Sequence, residues 1–154
     1  MSARTRNQMP TAGRLVGAIV FGATGAGAAF VGIPTLSEEV LPGYLLPFST
    51  IVGVWQGWSL MGPKAGGRFS MAITQGIATV VVMTLTVIFF VAGWDMIERS
   101  MRLRYDDPGE AVLDVANLMW EYLKMMAVPQ VIGVLALGAT LGSILVNIAA
   151  RIWK

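Results

Sequence analysis

The sequence predicts an all-α integral membrane protein: a four-helix bundle with an extra amphipathic interfacial helix between spans 3 and 4. Three observations lead there. Apolar residues make up 55% of the 154-residue chain and charged ones 13%, about half of the roughly 25% usual in soluble domains. The charges are also clustered. No Asp, Glu, Lys or Arg occurs in 15–37, 40–63, 69–94 or 125–150, and each of these windows exceeds the ~20 residues that cross a bilayer as a helix. Finally, Cys and His are absent, which removes disulfides, thiol redox chemistry, imidazole catalysis and nearly all zinc sites. The net charge of +2 is too small to suggest nucleic-acid binding, and the basic residues sit at segment ends.

The expected organisation is a polar tail over 1–12 and a single transmembrane domain over 13–154. Spans fall at about 15–33, 47–61, 69–94 and 130–150, and the interfacial helix at about 108–126. The first apolar run is longer than the core of a signal peptide, so it reads as a retained anchor. Ala18, Gly22, Gly25, Ala29 and Gly32 recur at +4, +3, +4 and +3, which places all five on one helix face. In lipid such a ridge lets two backbones approach closely. It is a helix-docking face, either for another helix of the same chain or for another protein. The last span, with Gly133, Ala136, Gly138 and Gly142, offers a partner within the chain.

Pro34 ends the first helix, and Pro42-Gly43 marks a turn. Pro47 then suits the first turn of the second span, where a missing N–H is harmless. Tyr44 at one end and Trp55 with Trp58 at the other fit interfacial anchoring. Thr74, Thr79, Thr84 and Thr86 of the third span can donate to their own helix carbonyls. That helix is expected to continue to about Leu103, with Asp95–Arg99 and Glu98–Arg102 as i, i+4 pairs. Asp107 then reads as a helix N-cap, with Pro108 at the first position and Glu110 three residues after the cap. Glu110, Asp114, Asn117, Glu121 and Lys124 form a narrow polar stripe on an otherwise apolar helix, the pattern of a helix lying along the membrane interface with its stripe outward.

The hinge Met61-Gly62-Pro63-Lys64-Ala65-Gly66-Gly67-Arg68 joins spans 2 and 3. It lacks the Gly-Lys-Ser/Thr ending of a phosphate loop. A weaker possibility is contact with an anion or a lipid headgroup by Lys64, Gly66, Gly67 and Arg68 at the start of the third helix. Asp106, Asp107 and Glu110 have the chemistry for a divalent cation, but capping explains the same residues. No catalytic, cofactor-binding or metal-ligating set emerges, and no cofactor is expected. Ionisable residues inside spans, the usual mark of a transporter, are absent. Sorting basic residues by side puts Arg4, Arg6, Arg14, Lys64, Arg68, Arg151 and Lys154 on one face and Arg99, Arg102, Arg104 and Lys124 on the other, which favours cytoplasmic termini.

Several stretches, in order, resemble the TrgA family of small bacterial inner-membrane proteins associated with tellurium resistance. They are Met9-Pro10-Thr11 with Arg14-Leu15-Val16, Gly57-Trp58 through Met61-Gly62-Pro63-Lys64-Ala65-Gly66, Arg104-Tyr105-Asp106 with Pro108, Glu110 and Ala111, and Pro129-Gln130-Val131 with Gly133. The resemblance implies four spans and an inner-membrane location, and no mechanism. The expectation is therefore a non-catalytic membrane protein, not an enzyme. It would act as an accessory or assembly subunit of a larger bacterial membrane complex, with the lipid bilayer and other integral membrane proteins as partners. The alternative is a small tellurite-type oxyanion transporter or exporter using Lys64 and Arg68 near its mouth.

Overall fold

The computed structural model describes residues 12–35, 42–65, 67–101 and 108–152, and every regular element among them is helical. Helix α1 covers Ala12–Gly32 and ends in a 3-10 turn at Ile33–Thr35 that contains Pro34. Helix α2 covers Pro42–Gln56 and runs without a break into a π-helical turn at Gly57–Met61 and a 3-10 turn at Gly62–Lys64. Helix α3 covers Phe69–Met101 and α4 Pro108–Met126. Helix α5 (Pro129–Leu137) passes through a second π-helical turn, Gly138–Gly142, into α6 (Ser143–Ile152).

Among the described residues three helices are long and apolar enough to cross a membrane: Ala12–Gly32, Phe69–Met101 and the continuous run Pro129–Ile152. The run through α2 is not among them. It also begins earlier than the sequence suggests, at Pro42, and Pro47 lies inside the helix rather than in its first turn. The extra turn is held by Leu45, which is buried with Ala29, Val52, Met83 and Val87. That burial outweighs the single backbone hydrogen bond that Pro47 cannot donate.

Helix α1 is the hub. Helix α2 packs antiparallel against one side of it, matching Gly17 to Gly57, Gly25 to Ser49, and Arg14 to Gly62. The last helix packs antiparallel against another side, matching Gly13 to Ala150, Val20 to Gly142, and Thr24 to Gly138. Helix α3 closes the arrangement: Ala72 and Val80 join Phe21, Met61, Ala139 and Val146 in one cluster, and Met83 and Val87 join Ala29, Leu45 and Val52 in the next.

At 33 residues, α3 is roughly 50 Å long, against about 30 Å of bilayer hydrocarbon. Its C-terminal part is accompanied by α4. Ile88 and Ala92 pack on Leu118 and Tyr122, with Val91, Val115, Met119, Met125 and Met126 around them. Helix α4 runs antiparallel to α3 here, since Asp95 meets Tyr122 while Arg99 meets Asp114. It occupies the residues expected of the interfacial helix, but its axis follows α3.

Candidate functional site

Two of the four hinge residues singled out in the sequence, Gly67 and Arg68, are placed in full, and both are exposed. Gly66 and the side chain of Lys64 lie outside the described residues. The Gly67 carbonyl accepts hydrogen bonds from Asn147 Nδ2 at 3.3 Å and from an Arg151 guanidinium nitrogen at 2.6 Å. The Arg151 guanidinium also lies 4.5 Å from the centre of the Phe69 ring, within cation–π range. On the opposite side, a Cβ added to Gly62 would sit 2.9 Å from the Arg14 Cβ. A backbone oxygen is therefore what the hinge turns toward α6, and it accepts from the Arg151 guanidinium and the Asn147 amide. The arrangement can latch the hinge to the last helix.

The small-residue ridge is spent inside the chain. Ala18, Gly22, Gly25, Ala29 and Gly32 are all buried. A Cβ on Gly22 would stand 2.6 Å from Val54 Cγ2, and one on Gly25 would overlap the Ser49 carbonyl oxygen. Gly32 lies against Met126 and Val131. The main partner of the ridge is thus α2, not the last helix. Of the last helix's small residues, Gly138 and Gly142 meet Thr24 and Val20 on another side of α1, whereas Gly133 has open space around it.

The closest approach uses residues outside the ridge. A Cβ on Gly53 would overlap the Phe21 carbonyl oxygen, and Gly17 and Gly57 exclude each other's side chains in the same way. The sequence signal was available: Gly53 and Gly57 are four apart, the small-xxx-small spacing of tightly crossing membrane helices.

Next to Gly57 lies a buried polar contact between α2 and α3. Gln56 is 3% exposed, and its Nε2 donates to Thr86 Oγ1 at 3.0 Å. Its Oε1 is buried without a partner among the described residues. Thr86 in turn donates to the Val82 carbonyl at 2.7 Å.

At the far end of α3, Tyr122 donates its hydroxyl to Asp95 Oδ2 at 3.0 Å. Arg99 bridges Asp95 at 3.1 Å and Asp114 at 3.5 Å. Asp95–Arg99 is the expected i, i+4 pair. Arg102, Asp106 and Asp107 lie outside the described residues, so the Glu98–Arg102 pair, the Asp107 cap and any cation at Asp106 and Asp107 do too. Among the described residues no group of three or more His, Cys, Asp or Glu side chains could hold a metal ion.

Helix α4 differs from its expected orientation. Asp114, a member of the stripe expected to face outward, is turned to Arg99. Flanking the side packed on α3 is a further apolar face: Val112 is 69% exposed, Leu113 67% and Trp120 62%, and Ala116 and Leu123 are exposed beside them. Lys124 Nζ lies 5.9 Å from the Trp120 ring centre, and Glu110, Asn117 and Glu121 line the polar edge, all exposed. Sequence periodicity marked these residues as apolar and could not show that the helix carries two apolar faces, one for α3 and one exposed. Comparisons with protein-family models, with curated proteins and with solved structures find no match to this chain.

Proposed function

We propose that this chain is a non-catalytic, four-span protein of the bacterial inner membrane with cytoplasmic termini. In this proposal it works by contact, as an accessory or assembly subunit of a larger membrane complex, in keeping with its resemblance to the tellurium-resistance-associated TrgA family. The observation that carries the proposal is the second apolar face of α4, which nothing in the chain covers among the described residues. A face of large apolar side chains rimmed by polar ones is the composition of an interaction surface. The small-residue ridge of α1, the other candidate, is already filled by α2.

The fourth crossing is supported by packing. Arg14 at the start of α1 lies beside Gly62 at the end of the α2 run, and Gly13 lies beside both Ala65 and Ala150. If α1 crosses the bilayer, α2 must return to the side where α1 began. Its lower apolarity is eased because Ser49 and Gln56 are buried against neighbouring helices, away from lipid. Arg14, Arg68 and Arg151 gather at this end of the bundle, which favours the cytoplasm for it. Arg151 is already engaged by the Gly67 carbonyl and the Phe69 ring, which leaves oxyanion transport the weaker reading.

Extraction from native membranes in a mild detergent or in polymer nanodiscs, followed by native mass spectrometry, tests the proposal. The expected result is an assembly heavier than one chain that is lost in a Leu113→Ala, Trp120→Ala double variant. A chain that always runs alone would remove the contact role.

A further inference from the structure

Most of the hydroxyl groups on the helices follow one rule. Thr24, Thr50, Thr74, Thr79, Thr86 and Thr140 each donate to the carbonyl four residues earlier, at 2.7–3.1 Å. Ser59 and Ser143 also donate to backbone carbonyls of their own helices. Such back-bonding is how a hydroxyl is satisfied in a place without water. Ser49 on α2 is 5% exposed and makes no such bond, and neither does Thr84 on α3, contrary to its expected back-bond. Neither hydroxyl has a hydrogen-bond partner among the described residues.

Both residues line the same cavity. It has a volume of about 20 Å³ and lies where α1, α2, α3, the end of α4 and α5 come together, with Gly25, Ala28, Met83 and Met126 among its walls. That volume exceeds the roughly 10–15 Å³ needed by one water molecule. No lining residue carries a charge, so nothing there would compensate an ion. The cavity exists because α1 presents small residues at this level, and a larger side chain at Gly25 would overlap the Ser49 carbonyl oxygen.

We propose that this cavity is a specific site for a single water molecule held by the hydroxyls of Ser49 and Thr84. Water both donates and accepts, so one molecule can pair with both hydroxyls, and neither oxygen is sealed from a water-sized probe, Gln56 Oε1 being the one fully buried unpartnered side-chain atom among the described residues. The site is independent of the contact role proposed above, because none of the exposed residues of α4 contributes to it.

Water-to-protein polarisation transfer, read by magic-angle-spinning NMR on the full chain in phosphatidylcholine bilayers, tests it. Ser49 and Thr84 are expected to receive magnetisation from water while Phe21 and Val80, which are buried and do not line the cavity, stay dark. In a Ser49→Ala, Thr84→Val double variant, which keeps the cavity shape, the transfer at both positions is expected to be lost. Three results would overturn the proposal. One is dry Ser49 and Thr84 in the native chain while the exposed Gly67 is wet. Another is cross-peaks from lipid methylenes in place of water. The third is undiminished transfer at both positions in the double variant, which would mean that the hydroxyls do not hold the water. Should the variant fail to fold, the native spectrum still decides between the first two results and the proposal.

Discussion

Gly17 and Gly57 pack backbone to backbone: a Cβ on Gly17 would lie 2.6 Å from the Gly57 carbonyl oxygen, and one on Gly57 would overlap the Gly17 carbonyl oxygen. Gly53 meets the Phe21 carbonyl in the same way, one turn along. In lipid, where apolar surface gains nothing by leaving the solvent, such approach is what lets two helices collect dispersion contacts. Gly57→Ala and Gly53→Ala are each expected to lower stability by about 1–3 kcal/mol, the range for overpacking a filled contact. Gly43→Ala and Gly133→Ala, which have open space, should shift it by no more than about 0.5 kcal/mol. Unfolding by dodecyl sulfate titration in mixed micelles gives the comparison. Equal effects at all four positions would mean that α1 and α2 are not held at this crossing.

Much of this fold was legible, for definite reasons. Pro108 and the stripe from Glu110 to Lys124 fixed α4 to the residue, because a helix start and a period of 3.6 are local signals. The charge-free windows located α1, α3 and the last helix, because lipid penalises charge wherever it falls. Partners were less visible. The ridge Ala18–Gly32 announced a close approach, but the partner it suggested within the chain was the last span, whereas Gly22 and Gly25 meet α2. Leu45 shows why the start of α2 was misplaced: its burial draws the helix back past Pro47, and burial is a tertiary fact. The π-helical turns at Gly57 and Gly138 carry no local sequence signature.

The amide of Gln56 is half satisfied, which makes its substitutions asymmetric. Thr86→Val removes the partner of Nε2 and leaves a second buried polar group unpaired, at a cost of about 1–3 kcal/mol. Gln56→Met removes both amide groups at similar volume, so that cost does not arise. It is expected to be neutral or mildly stabilising, within about 1 kcal/mol. The same dodecyl sulfate titration ranks the two. A Gln56→Met change more damaging than Thr86→Val would mean that Oε1 has a partner supplied from outside the chain.

Tyr122 predicts an alkaline weakness. Burial first, and then its hydrogen bond to Asp95, hold the phenol well above its ordinary value near 10. Below about pH 10 the phenol is protonated whether α4 is docked or released, and its contribution is fully present. As pH rises further, the unfolded state loses its proton first and stability falls until the folded phenol ionises too. The thermal midpoint of the native chain should therefore decline above about pH 10, and Tyr122→Phe should flatten that decline. At neutral pH the same substitution should cost on the order of 1 kcal/mol, the worth of the lost hydrogen bond. An unchanged alkaline slope in the variant would assign the effect to other groups.

The proximity of Arg14 to Gly62 also makes a topological prediction. Because the chain has no cysteine, single substitutions report membrane side without background. Gly43, at the start of α2, and Ser100, near the end of α3, are both exposed, as is Arg68 between α2 and α3. With four crossings, Gly43→Cys and Ser100→Cys should react with a membrane-impermeant maleimide from the periplasmic side. Arg68→Cys should react only in inverted vesicles. If all three orientations are reversed together, the four crossings stand and the cytoplasmic placement of the termini falls. If Gly43→Cys and Arg68→Cys label from the same side, α2 does not cross. The antiparallel match of Gly17 to Gly57 and Gly25 to Ser49 would then belong to a helix pair in which α1 alone crosses, since α1 is long and apolar enough to span and α2 is not among such helices.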